Sequence, residues 1–145
     1  MRAPYQVLVI PFRKQNNEFE YAIFKRTDFK FWQFIAGGGE DGESIVETVY
    51  RELSEEIAFD EICPLIHLDS LCTIPRSFFT ESSHWPESLY VVPEHCFAFE
   101  LTDREPILSE EHTEYQWVSY EQAFDLLKWD SNKNALWELR ERLKK

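Results

Sequence analysis

Three glutamates, Glu52, Glu55 and Glu56, stand at i, i+3 and i+4 in the run RELSEEIAF, downstream of Gly37-Gly38-Gly39. On a helix that spacing places all three carboxylates on one face. Like charges so close repel, and Arg51 is the only basic residue between Gly37 and Asp60. One guanidinium cannot balance them. A hard divalent cation can. Magnesium takes oxygen ligands and binds through a few carboxylates plus substrate phosphates, and manganese suits the same donors. The glycines read as a turn whose backbone can approach a metal or phosphate closely, offering a carbonyl or amides. Taken without other context, the pattern also fits a solvated acidic helix face, because glutamate is a strong helix former usually found in water.

The elements that must position these acids follow from periodicity. Val46, Val49, Leu53 and Ile57 recur at steps of three and four and predict a helix over residues 44–58. The acids then lie beside this apolar stripe, where the helix meets the body of the domain. Upstream, residues 5–12 and 19–25 read as strands, and Gln15-Asn16-Asn17 between them signals a hairpin turn. Residues 32–36 form a short apolar strand running into the glycines. Downstream, residues 65–74, 95–101 and 115–118 read as strands, with a long irregular loop over 75–93. Ser119 followed by Gln122 is a capping-box pattern, and a last helix is expected over 131–142, with Leu136 and Leu139 facing inward. Strands, a helix, strands and two helices predict an α/β (α+β) layered domain with a mixed sheet and helices on both sides.

Composition bounds the function. The chain has 145 residues, 43% of them hydrophobic, with 12 Phe and 5 Trp, which suits one domain over 1–145 with a real core and excludes a disordered chain. No apolar run approaches the ~20 residues of a membrane helix. Cys63, Cys72 and Cys96 form no CxxC pair, which suggests reduced thiols and a cytoplasmic protein. A net charge of −12 argues against nucleic acid as a partner. It leaves open a phosphorylated small molecule, because bound cations invert the local field.

The segment from Gly37 onward resembles the Nudix box, G-x5-E-x7-R-E-U-x-E-E-x-G-U, where U is a bulky aliphatic residue. Gly37 opens it, Glu43 follows, then Arg51, Glu52 and Leu53, with Glu55 and Glu56 in register and the aromatic Phe59 at the last position. Ala58 replaces the second glycine. That position often takes left-handed backbone at a helix end, so the alanine implies a slightly different helix exit rather than altered chemistry. The order of elements is similar to the family's α/β/α sandwich over nearly the whole chain. The segments FWQ, SEEHTEYQWV and WDSNKNAL look similar to the branch cleaving dATP or dihydroneopterin triphosphate.

The resemblance implies magnesium-dependent hydrolysis of a diphosphate linkage in a nucleoside or pterin triphosphate, releasing pyrophosphate and a monophosphate. By carry-over, Glu52, Glu55, Glu56 and the Gly37 carbonyl are metal ligands, Arg51 orients the glutamates, and Glu43 holds loop and helix together. Glu43 also fits an ordinary first-turn acid. The general base is either Glu52 or a late-loop glutamate, Glu111, with Glu114 in reserve; His112 reads as structural. Arg26 is expected at a substrate phosphate, or else at a plain strand end. Asn132 is expected at the base, or else at a helix start. Phe31, Trp32, Phe78, Phe79 and Trp85 are candidates for stacking, though most aromatics are core. A homodimer is compatible with the family. Two other readings stand beside this one: a dinucleoside polyphosphate or nucleotide-sugar hydrolase, and a non-catalytic nucleotide-binding module.

Overall fold

A computed structural model describes residues 1–28 and 30–145. Its spine is β1 (Arg2–Gln15), much longer than the run of residues 5–12. β1 has different partners along its two halves. The first half pairs antiparallel with β4 (Ile35–Glu40) and the second with β2 (Glu18–Arg26). Pro11, which has no N–H to donate, falls in the gap between these partners. The other edge of β1 pairs in parallel with β6 (Val91–Glu100), and β5 (Ile66–Pro75) flanks β6 antiparallel. β2 carries β3 (Trp32–Gln33) and β7 (His112–Val118), both antiparallel. The β1–β2 hairpin turns through Asn16 and Asn17 at φ 52° and 64°, the two left-handed positions that such a tight turn needs.

Side chains along β1 and β6 alternate between two cores, as a pleated strand requires. Val7, Val9, Phe97 and Phe99 pack with Val49, Leu53 and Ile57 of α1 (Ile45–Ile57). Leu8, Ile10, Cys96 and Ala98 face the opposite side, with Ala123 of α2 (Tyr120–Leu126) and Ala135, Leu136 and Leu139 of α3 (Asp130–Leu143). The sheet is therefore mixed and covered by helices on both faces, as the element order implied.

Four local expectations need correction. The glycines do not form a turn: Gly37, Gly38 and Gly39 lie inside β4, and among the glycines only Gly42 has positive φ. What β4 needs from them is the missing side chain. A Cβ on Gly37 would collide with the Glu52 carboxylate, one on Gly38 with the Arg2 guanidinium, and one on Gly39 with the Tyr5 ring. Val46 does not belong to the buried stripe; it is exposed, and α1 buries Val49, Leu53 and Ile57. Nor does Ala58 give a different helix exit. It adopts φ 55°, ψ 35°, the left-handed cap that glycine usually fills, and Phe59 N donates to Leu53 O at 3.1 Å. Finally, residues 91–93 belong to β6 and residues 76–78 form a short 3-10 turn, so the loop between β5 and β6 is shorter than expected.

Candidate active site

α1 starts at Ser44, whose hydroxyl accepts from Glu47 N while Glu47 returns a bond to Ser44 N. This cap and the buried stripe fix the helix rotation and thereby the positions of the acids. Glu52 and Glu56 are 6% and 3% exposed, whereas the Glu55 side chain is 56% exposed. Glu52 lies against Gly37 of β4. Burial pushes its pKa up to about 8, with Glu56, Glu55 and Glu111 adding to the rise and Arg51 opposing it.

Arg51 joins the pieces. Its Nε donates to Glu43 Oε2 at 2.7 Å and its Nη2 to the Gly38 carbonyl at 2.7 Å; Nη1 reaches Glu52 Oε1 at 3.1 Å and Glu55 Oε2 at 3.2 Å. Glu43 also accepts from Glu40 N and Thr48 Oγ1 at 2.9 Å each. The Arg51 hydrogen bond is the main reason its pKa falls to about 2. A residue held by Glu40 of β4 and by Arg51 and Thr48 of α1 is a structural tie, more than a first-turn acid.

The third acid faces a different neighbour. Glu56 Oε2 is buried without a well-aligned hydrogen bond, although His112 Nδ1 lies 3.1 Å away. Burial pushes Glu56 up, but hydrogen bonding to His112 and Glu111 outweighs it and holds the group below its usual range. Glu111 takes the opposite shift. Its hydrogen bond to Glu56, then burial, raise it to about 7. The late-loop glutamate thus meets the box acids across the protein. Glu114 does not: it lies on β7 opposite Lys25, 3.9 Å from the lysine Nζ.

Among the described residues no three acids, histidines or cysteines already converge on a common point. Glu52 and Glu55 are turned toward Arg51, and Glu56 toward His112. The donor set still suits a divalent cation. It consists of hard oxygens, one carboxylate oxygen is buried and poorly satisfied, and the Gly37 position leaves room for Glu52 beside the main chain. These residues would hold a magnesium-like ion by turning from their protein partners.

A cleft of about 460 Å³ opens on the α2/α3 side of the sheet, the face opposite α1. Arg26, Phe31, Phe78, Phe79 and Asn132 line it, as does Ala36, the residue before Gly37. Arg26 holds Asp28 through two 2.8 Å bonds and feels the charge of Glu111 and Glu56. Asn132 is 3% exposed and accepts from Phe34 N at 2.8 Å. Two expected stacking residues are elsewhere. Trp32 packs against the α2/α3 core, and buried Trp85 donates to Arg2 O at 2.9 Å. Among the cleft residues that escaped the sequence reading are Gln6 and Glu94. Gln6 and Glu94 are in phase with inward apolar residues of their strands, and a polar residue at such a position is the signal that would have found them. A second hollow of about 600 Å³, near Ser70, Glu138 and Arg142, lies between β5 and α3, away from α1.

Comparison with known proteins agrees with this geometry. The NUDIX domain model matches residues 3–138. A Listeria monocytogenes crystal structure described as a NUDIX hydrolase is 50% identical, covers 98% of this chain and 95% of its own, and superposes with a TM-score of 0.87. The dihydroneopterin triphosphate diphosphatase of Escherichia coli strain K12 is 27% identical over 137 residues, 93% of this chain and 91% of that one. An RNA pyrophosphohydrolase of Campylobacter jejuni is 30% identical over 118 residues, 75% of this chain and 73% of the relative. The family model spans nearly the whole of the fold, from β1 into α3, and the chain belongs to the NUDIX domain family, as a Nudix-type pyrophosphohydrolase.

Proposed function

We propose that the protein hydrolyses a nucleoside or pterin triphosphate in a magnesium-dependent reaction, releasing pyrophosphate and the monophosphate. The observation that carries this reading is the junction of two features. The acids of α1 meet β4 at Gly37, and the cleft begins one residue earlier at Ala36. A substrate with its ring in the cleft would run its phosphates past Arg26 to Glu52, Glu55 and Glu56. The E. coli relative's name supports a triphosphate.

The roles of the residues follow from their surroundings. Glu52, Glu55, Glu56 and the Gly37 carbonyl would hold the cation, which when bound neutralises phosphate charge and polarises phosphoryl oxygens. Arg51 keeps Glu52 and Glu55 on the same side of α1. Arg26 offers a guanidinium to the phosphates. Water attacks phosphorus, the new P–O bond replaces the bond to the pyrophosphate leaving group, and the water's proton passes to a carboxylate. Glu111 suits that last role, because a group titrating near neutrality can both take and release a proton. Glu52 is the alternative within the same cluster.

A product assay tests the reading. The protein would be incubated with magnesium and dNTPs, dihydroneopterin triphosphate, ADP-ribose and diadenosine tetraphosphate. Pyrophosphate from a triphosphate supports it. Cleavage of only the last two compounds would refute it while keeping the box chemistry.

A further inference from the structure

The cleft floor carries a buried carboxylate for which the hydrolysis needs no role. Gly38, Gln6, Glu94 and Cys72 stand side by side on β4, β1, β6 and β5. Glu94 is 4% exposed, and its side chain lines the cleft. Its one side-chain hydrogen-bond partner among the described residues is Gln6, whose Nε2 donates to Glu94 Oε2 at 2.7 Å. Among the described residues no cation pairs with it. Burial raises its pKa, partly offset by that bond. A carboxylate with one such partner keeps acceptor capacity for a ligand in the cleft.

The hydrogen-bond polarity here is fixed by chemistry. Arg2 Nη2 donates to Gln6 Oε1 at 2.9 Å, and arginine can only donate. Gln6 must therefore present its oxygen to Arg2 and its amide hydrogens to Glu94. Glu94 Oε2 is thus the accepting atom, and Oε1 is left for the cleft. Asn132 is fixed in the opposite sense. Its Oδ1 accepts from the Phe34 N–H, so it has an N–H to offer. The cleft thus offers a carboxylate acceptor and an amide donor. An adenine edge, with a bare acceptor at N1, gives the Glu94 oxygens only the exocyclic amine to accept from.

From this arrangement we infer that Glu94 selects a ring with two adjacent N–H donors beside a carbonyl, the 2-amino-4-oxopyrimidine edge shared by guanine and pterin. Glu94 accepts from the ring N–H and the exocyclic amine through Oε1 and the second lone pair of Oε2, and Gln6 and Arg2 position its carboxylate. The inference rests on the proposed placement of the ring in this cleft and names the substrate class. Glu94 is a specificity residue, remote from the acids of α1.

Equilibrium binding of monophosphates tests it without any cleavage. The probes are GMP, IMP (which lacks the 2-amino group), AMP and neopterin monophosphate, titrated calorimetrically into the wild type and Glu94→Gln. The wild type is expected to bind GMP or neopterin monophosphate at least about 10-fold tighter than IMP and AMP. Glu94→Gln replaces the charged acceptor by an amide and should weaken the preferred ligand about 10- to 100-fold, the range for a hydrogen bond to a charged group, while AMP changes by less than about threefold. Loss confined to GMP, to neopterin monophosphate, or to both upholds the assignment and names the source of the ring. Equal wild-type affinity for GMP, IMP and AMP overturns it, as does no binding of any, and those comparisons need no variant. An equal loss for every ligand in Glu94→Gln also overturns it. Pyrophosphate release without ring discrimination would remove this inference alone. Ring discrimination without pyrophosphate release would remove the proposed reaction alone.

Discussion

The Glu52 carboxylate fills the space into which a side chain at Gly37 would project. The first glycine of the box is therefore a clearance for an acid arriving from α1. Gly37→Ala would have to push the carboxylate away from β4, because both sides of the contact are held, one by the sheet and one by the helix. We expect a folded protein with kcat/KM lowered at least about 100-fold, an effect of the size seen when catalytic groups are displaced by about an ångström. Magnesium titration of activity checks it, and a wild-type metal response would reject the clearance argument.

Gly38 points to the other side of β4, where a Cβ would meet the Arg2 guanidinium. Arg2 holds Gln6, and its carbonyl accepts from Trp85 and meets His84. Gly38→Ala is therefore expected to raise KM several-fold with a smaller change in kcat, whereas the loss in Gly37→Ala is expected mainly in kcat. Steady-state kinetics on both variants decides whether the two faces of β4 serve ring and phosphates separately.

Replacing Glu55 and Glu56 together by glutamine should abolish metal-dependent turnover, since amides cannot supply the negative charge the cation needs. Unchanged turnover in the double variant would remove the assigned ligands.

The pH dependence has a definite sign at each end. Glu52 has a folded pKa of about 8, above its ordinary value of 4.5. Between these values the folded state binds more protons than the unfolded one, so metal-free stability falls as pH rises from about 5 toward 8. Glu43 runs the other way. Its pKa of about 2 gives stability that is present above 4.5 and lost as pH falls toward 2. Thermal melts without metal should show both flanks, and saturating magnesium should flatten the alkaline one, because it binds ionised carboxylate. An alkaline flank identical with and without magnesium would contradict Glu52 as a ligand.

Ala58 is left-handed at the end of α1. Ala58→Gly should raise stability by up to about 1 kcal/mol, since relief of the left-handed penalty is partly offset by the entropy of glycine in the unfolded chain. A lower Tm for this variant would show that the cap is not strained.

The parts of this architecture written locally were readable from the sequence. The stripe Val49, Leu53 and Ile57, the Ser119 cap and the Asn16-Asn17 turn each depend on residues close in the chain. The glycines misled because a Gly-Gly-Gly run is a turn signal by propensity, while here Glu52, Arg2 and Tyr5, each brought from elsewhere, dictate a strand free of side chains. The alanine at 58 misled for a similar reason: the left-handed cap is closed by bonds from Ala58 N to Ser54 O and Phe59 N to Leu53 O, which residue type alone does not reveal. The box acids were legible as ligand candidates, but the pairing of Glu56 with Glu111 and His112 was not. Nor was the bond between Gln6 and Glu94, since it needs the parallel register of β1 and β6.

That parallel pairing also sets the order in which the molecule can be made. Synthesis delivers β1, β2, β4 and α1 well before β6, whose Phe97 and Phe99 complete the core beneath α1. Until they emerge, Val7 and Val9 have only part of their cover, and the nascent chain carries an open apolar face. Closing β6 onto β1 joins segments far apart in sequence, a step that slows folding and exposes half-made chains to aggregation. The helix bearing the acids is thus translated early but becomes a rigid platform late, so stalled or shortened products should be captured by chaperones rather than show partial activity.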